Sequence, residues 1–208
     1  ITPGMTSRTD QTTVTNQLVA TSQVTRKDCI TVSSPSRNDV LSTSSAGTIT
    51  NNIVAGANNM TASSYLVVDA NYTKVYDKFN DKFIFIPAAF STAGLMALSD
   101  TTAAPWFSPA GNRRGNLLGI TSLAWSPTKS QRDTLYRNYI NPVVQLPGQG
   151  TLLFGDKTHL LKNSAFDRIN VRRLFLSIER AISVAARNVM FEFNDEFTRA
   201  EFVNVVEP

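Results

Sequence analysis

The chain has 208 residues, 42% of them hydrophobic and 17% charged, with a formal net charge of +4. That is enough apolar material to bury a core in one or two domains. The charge is modest, and its Lys and Arg are dispersed among acids, which argues against the concentrated basic patch of a nucleic-acid binder.

In chain order, residues 1–63 are rich in Thr, Ser and Asn, most extremely in STSSAGTITNNIVAGANNMTASS. Small polar residues favour turns and loops over packed helices, so this region is expected to contribute one strand, DCITV (residues 28–32), and one short helix, TNQLVATSQV. The texture changes near Ser64, and residues 64–208 are expected to form the α/β core. SYLVVD and KFIFIP read as strands, AAFSTAGLMALSD as an apolar helix, and LLGITSLAW as strand-like. Ser126 followed by Pro127 predicts the cap and first turn of a helix over TKSQRDTLYRNYI, closed at Asn141-Pro142. VVQL, the turn PGQG and TLLF predict a hairpin.

The clearest helix spans residues 170–189. Val171, Leu174, Phe175, Ile178, Ile182, Ala185 and Val189 recur at steps of three or four and make one apolar stripe. MFEF reads as a short strand, and Asn194 or Asp195 as the cap of a last helix. Alternating strands and helices predict an α/β (α+β) fold, a mixed sheet flanked by helices.

GTLLFGDKT (residues 150–158) is one inserted residue from the phosphate-binding signature G-x-x-x-x-G-K-[ST]. Asp156 occupies the lysine position, where it would set a negative charge against a polyanion. TLLF is strand-forming, and no helix signal follows until about residue 170, so nucleotide binding is not expected. Lone Cys29 excludes an intramolecular disulfide and a multi-cysteine zinc site, and lone His159 excludes a histidine-pair metal site. No G-x-S-x-G elbow exists, and Glu192, Asp195 and Glu196 read as helix-start carboxylates. No catalytic residue, cofactor or metal is expected. No run approaches the ~20 apolar residues of a membrane span, so no membrane insertion is expected. The opening ITPG lacks Met and a secretory signal, and NVVEP ends inside a helical pattern, so the chain reads as part of a longer protein.

PWFSPAGNRRG (residues 105–115) resembles a tract of the tail sheath proteins of contractile-tailed bacteriophages. So does GQGTLLFGDKTHLLKNSAFDRINVRRLFLSIERAISVAARNVMFEFNDEFTRAEF, with FGDKT, INVRRL, IE, AI and FEFN in the family's order. DTLYRNYINPVVQLPGQG and KVYDKFNDKFIFIPAAFSTAG look most like the sheath of T-even phages. The resemblance covers residues 64–208 strongly and the Thr/Ser-rich beginning only weakly, through TRKDCITV.

It implies a non-enzymatic structural subunit stacked as hexameric rings in a helix around an inner tail tube. Contraction, triggered at the baseplate, would drive the tube through the host envelope. The implied partners are other sheath subunits, the tube protein, and baseplate and tail terminator proteins, with no direct nucleic acid. The implied location is the virion tail, assembled in the host bacterial cytoplasm. Sheaths of R-type bacteriocins or type VI secretion systems are the nearest alternative, and a nucleotide-binding enzyme using Gly150 to Thr158 a distant one. In the family, arms at the chain ends add strands to neighbours. The chain ends before such a C-terminal arm, so it is not expected to build ordered tubes alone. Arg172, Arg173, Arg180, Arg187 and Arg199 are candidate contacts to neighbouring subunits or the tube; alternatively, several pair with Asp167, Glu179 or Glu201. Arg113 and Arg114 sit in a turn whose side chains are suited to partner contact.

Overall fold

The computed structural model describes residues 1–207, apart from the side chain of Asn188. Helix α1 (Arg8–Ala20) runs into a π-helical turn over Thr21–Arg26, then strand β1 (Thr31–Ser33), short α2 (Arg37–Val40) and α3 (Ala46–Ala57). Strands β2 (Leu66–Val68), β3 (Tyr72–Asp77) and β4 (Lys82–Pro87) lead into α4 (Ala88–Thr102). Next come β5 (Ser122–Leu123), α5 (Lys129–Arg137), and the hairpin β6 (Val143–Leu146) and β7 (Gly150–Leu153). The last helices are α6 (Ile169–Ala186) and α7 (Glu196–Val206).

β1 and β2 pair in parallel, Thr31 opposite Leu66. β4-β3-β5 is antiparallel, as is β6-β7, with Val143 opposite Leu153. Single-residue bridges join these small sheets: Asp69 to Asn141 in parallel, and Ser63 to His159 and Asn116 to Leu152 antiparallel. The pairing is thus mixed, in keeping with the expected fold class.

Helices cover both faces of β2, and its three residues are buried. Leu66 and Val68 pack on one side with Val19, Val40, Ile53, Tyr72, Trp125 and Leu135. Val67 points the other way, into a cluster of Val32, Ala89, Met96 and Ile169 from β1, α4 and α6. A run buried on both faces carries no alternation, which is why LVV reads as continuously apolar. A third cluster, with Leu95, Leu123, Val143 and Leu153, closes the hairpin onto α4 and β5.

The first 63 residues depart from expectation. Beyond the DCITV strand they form three helices and a π turn instead of one short helix. α3 lies inside the stretch that reads most like a loop. Ser45 accepts from Thr48 N as its cap, and Ile49, Ile53 and Ala57 fall on one buried face. Composition misled because the Ser, Thr and Gln of this region satisfy one another internally. Gln11, 1% exposed, donates through Nε2 to Thr2 Oγ1 and to Ser34 O at 2.7 Å, while its Oε1 accepts from Met5 N. Thr15 and Ser33 share a hydroxyl hydrogen bond of 3.0 Å. Buried polar groups are tolerated when paired in this way. Arg8 grips Asp39 with two hydrogen bonds, 3.0 and 2.6 Å, and so ties α1 to α2.

Smaller corrections follow the same logic. The cap of α5 is Thr128, in a reciprocal capping box with Gln131, two residues past the expected Ser126. α5 ends at Arg137, and Tyr139 turns the chain with φ of 58°. Asn141 is therefore a sheet residue, not a helix stop. MFEF is a turn, with Phe191 at φ of 73° and no partner strand among the described residues. α6 begins at Ile169, but Phe175 and Ile178 of its apolar stripe are 39% and 42% exposed, whereas Arg172 and Arg173 are buried. Periodicity locates a helix; it does not say which side is covered.

Candidate functional site

The near-match GTLLFGDKT is built for packing. Its first half is β7, and Gly150 takes a φ of 80° to leave the hairpin turn. Phosphate binding needs free backbone N–H groups, and several here are already engaged. Those of Phe154, Thr158 and His159 donate to Pro142 O, Asp167 O and Leu66 O, and that of Lys157 to Asn141 Oδ1. Thr158 Oγ1 donates to Phe166 O at 2.7 Å, and Lys157 Nζ to Tyr136 O at 3.1 Å, over the Tyr136 and Tyr139 rings. Burial pushes the Asp156 carboxyl above its ordinary range, so it is a partly desolvated wall residue.

Gly155 is demanded by contact. A Cβ there would lie 2.7–2.9 Å from Oδ1, Cα and Cβ of Asn141. Asn141 is a hub: its backbone bonds Val68 O and Ala70 N, and its side-chain amide clasps both the N–H and C=O of Lys157. Gly155→Ala is therefore expected to cost about 1–3 kcal/mol through overpacking against backbone. Comparing the urea midpoints of the two proteins checks this.

Cys29 and His159 serve separate roles. Cys29 Sγ lies 3.7 Å from Ser22 Oγ. His159 is fully buried, its ring nitrogens 3.2 Å from Tyr139 O and 3.1 Å from Ala57 O, and burial lowers its pKa. Among the described residues no group of three or more His, Cys, Asp or Glu is placed to hold a metal ion, and no helix is long and apolar enough to cross a membrane.

The candidate arginines divide into two groups. Arg172 is sandwiched between Tyr65 and Phe166, ring centres 4.3 and 4.4 Å away, and donates to Ser64 Oγ. Arg173 is paired with Asp100 and donates to Met96 O at 3.0 Å. Both guanidinium groups are thus committed inside the chain, to partners other than Asp167, Glu179 and Glu201. Arg114 is half-buried, stacked 4.9 Å from the Phe107 ring and bonded to Ser108 O. Arg113, Arg180, Arg187 and Arg199 are exposed, Arg199 donating to Asn194 Oδ1 at 2.8 Å. Sequence reasoning missed the aromatic faces beneath Arg172. The signal available was Tyr65, next to Ser64, and Phe166, two residues after Ser164, but their proximity to Arg172 is a property of the fold.

This arrangement of small linked sheets between helices is shared with a solved structure. It superposes on a chain of the anti-feeding prophage (AFP) baseplate structure with a TM-score of 0.75 at 21% identity, over 96% of this chain and 48% of that one. The chain belongs to the phage tail sheath protein family, whose central-domain model matches residues 1–159. It is 43% identical over 195 residues to the tail sheath protein of Vibrio phage KVP40, covering 88% of this chain and 29% of that protein. With the tail sheath protein of Enterobacteria phage T4 it shares 40% over 185 residues, 85% of this chain and 28% of that one. The chain thus spans less than a third of the length of these curated relatives, and the T-even resemblance is upheld.

Proposed function

We propose that this chain is part of a structural subunit of a contractile phage tail sheath. In this reading the subunit polymerises as hexameric rings around the inner tail tube and contracts to drive the tube through the host envelope. The observation that carries the proposal is the identity of 40–43% to proteins named tail sheath protein, along most of the chain. The partners are other sheath subunits, the tube protein, the baseplate and the tail terminator, and the location is the virion tail after assembly in the host cytoplasm. The subunit acts without catalysis or cofactor: work comes from a change of packing between copies. Exposed ion pairs suit that task, since each contributes only about 0–1 kcal/mol and can be exchanged, while many identical copies sum small differences. Arg113, Arg180, Arg187 and Arg199 are the proposed charged contacts, with Arg114 supporting the 105–115 turn and Arg172 and Arg173 anchoring the base of α6.

Immunogold labelling of phage tails with antibody raised against this chain tests the reading. Gold is expected along the tail between head and baseplate, over a shorter length after contraction. Label confined to the capsid or to fibres would reject it. The likeness to the AFP baseplate chain favours one second reading, a sheath-type subunit of a related injection machine. Labelled particles without a phage head would select that reading.

A further inference from the structure

A groove of about 410 Å³ runs beside α5, lined by Lys129, Arg132, Asp133, Tyr136, Pro142 and Phe154. Its apolar wall is unusually open: Phe154 is 49% exposed, and the Arg132 guanidinium lies 5.5 Å from its ring centre. Tyr136 forms the other wall, with Arg168 donating to its hydroxyl and Lys157 above its ring. Four cations therefore border two aromatic rings, and on the lining they face a single acid, Asp133. Asp156 lines the adjoining recess together with Tyr136 and Phe154, and Asp167 lies against Arg168 at 3.5 Å.

The opposite pattern stands at residues 191–197, FEFNDEF, all of them exposed. Phe191, Phe193 and Phe197 are 100%, 86% and 78% exposed. Between them stand Glu192, Asp195 and Glu196, with no cation inside the segment. Large apolar side chains left in water mark a contact surface, and buried aromatic anchors ringed by complementary charge are what protein interfaces use.

We propose that residues 191–197 of one copy dock into the α5 groove of a second copy. The phenylalanines would lie against Tyr136, Pro142 and Phe154, and Glu192 and Glu196 would face Lys129 and Arg132. The two surfaces are different patches of one molecule, so the contact is head-to-tail and each copy keeps one free donor and one free acceptor surface. Such a contact propagates, as a ring or helix of subunits requires. The choice of a second copy as occupant rests on the sheath reading; the groove and segment are fixed by the geometry.

The test is sedimentation velocity of the purified chain across concentration at low and high salt. Concentration-dependent association that weakens with salt is expected, as short strings of copies and not as cylinders. Lys129→Glu with Arg132→Glu, and separately Glu192→Lys with Glu196→Lys, should each weaken it at least tenfold. Mixing the two variants should restore it, because each then offers the partner the other needs. Phe193→Ser with Phe197→Ser should weaken it at unchanged charge. All but the half-buried Arg132 are exposed, and circular dichroism verifies that each variant is folded. A chain that stays monomeric, association indifferent to both charge reversals, or no recovery on mixing overturns the contact. Such a failure would leave gold labelling of the tail unaffected, so the two claims fail separately.

Discussion

Replacing Ile53 by alanine should lower the stability of the whole chain by about 2–5 kcal/mol. Ile53 is fully buried on α3, in the same cluster as Leu66, Val68, Tyr72, Trp125 and Leu135. Removing its side-chain carbons forfeits their transfer free energy and leaves a cavity that rigid neighbours fill only in part. We propose that residues 1–63 and 64–207 unfold as one unit, because that cluster draws on both. A single urea transition, displaced as a whole and followed by Trp125 fluorescence together with circular dichroism, is the expected result. Two transitions, or a change confined to one probe, would show that the polar beginning folds by itself.

The second large effect depends on pH. Asp69, at the end of β2, is fully buried, and neither of its carboxyl oxygens has a well-formed hydrogen bond. Burial pushes its pKa up to about 7, a rise tempered by the polar groups of Thr92 and Asn141. The folded chain therefore holds this proton more tightly than the unfolded chain, whose carboxyl titrates near 3.8. Below that value Asp69 is neutral in both states and adds no pH dependence. From about pH 4 to 7 the unfolded state alone gives up its proton, and stability falls by up to about 4 kcal/mol, then levels off. Asp69→Asn removes the titration while keeping the shape. The variant should gain on the parent chain steadily between pH 4 and 7, and urea unfolding at several pH values reads the difference. His159 works in the opposite sense: its lowered pKa means stability is lost as pH falls below the ordinary histidine value of 6.5. Because the variant retains His159, the difference between the two proteins isolates Asp69. A difference that does not change with pH would show that Asp69 is charged and satisfied.

Several elements were legible because local chemistry and tertiary structure agree. The hairpin 143–153 announced itself through apolar runs flanking PGQG, and Gly148 and Gly150 take the positive φ values such a turn needs. Asp195 caps α7 by accepting from Thr198 N, as its position before FTRAEF suggests. Elsewhere the deciding contact lies far along the chain. Gln11 and Thr15 look like surface residues until Ser33 and Ser34 are brought beside them. Arg172 and Arg173 look like a basic face until Tyr65 and Asp100 meet them, 107 and 73 residues away in sequence. Gly155 resembles the glycine of a phosphate loop, and only the position of Asn141 shows that it serves close packing. The proposed contact surfaces were the least legible, since exposure of Phe154 or Phe193 is a property of the folded chain.

Cryo-EM of intact tails carrying this polypeptide, before and after contraction, tests the central claim most directly. The claim predicts copies of this α/β unit arrayed around a central tube in both states, internally unchanged, with altered contacts between copies. A unit that refolds during shortening, or density for this chain that forms no array around a tube, would contradict it.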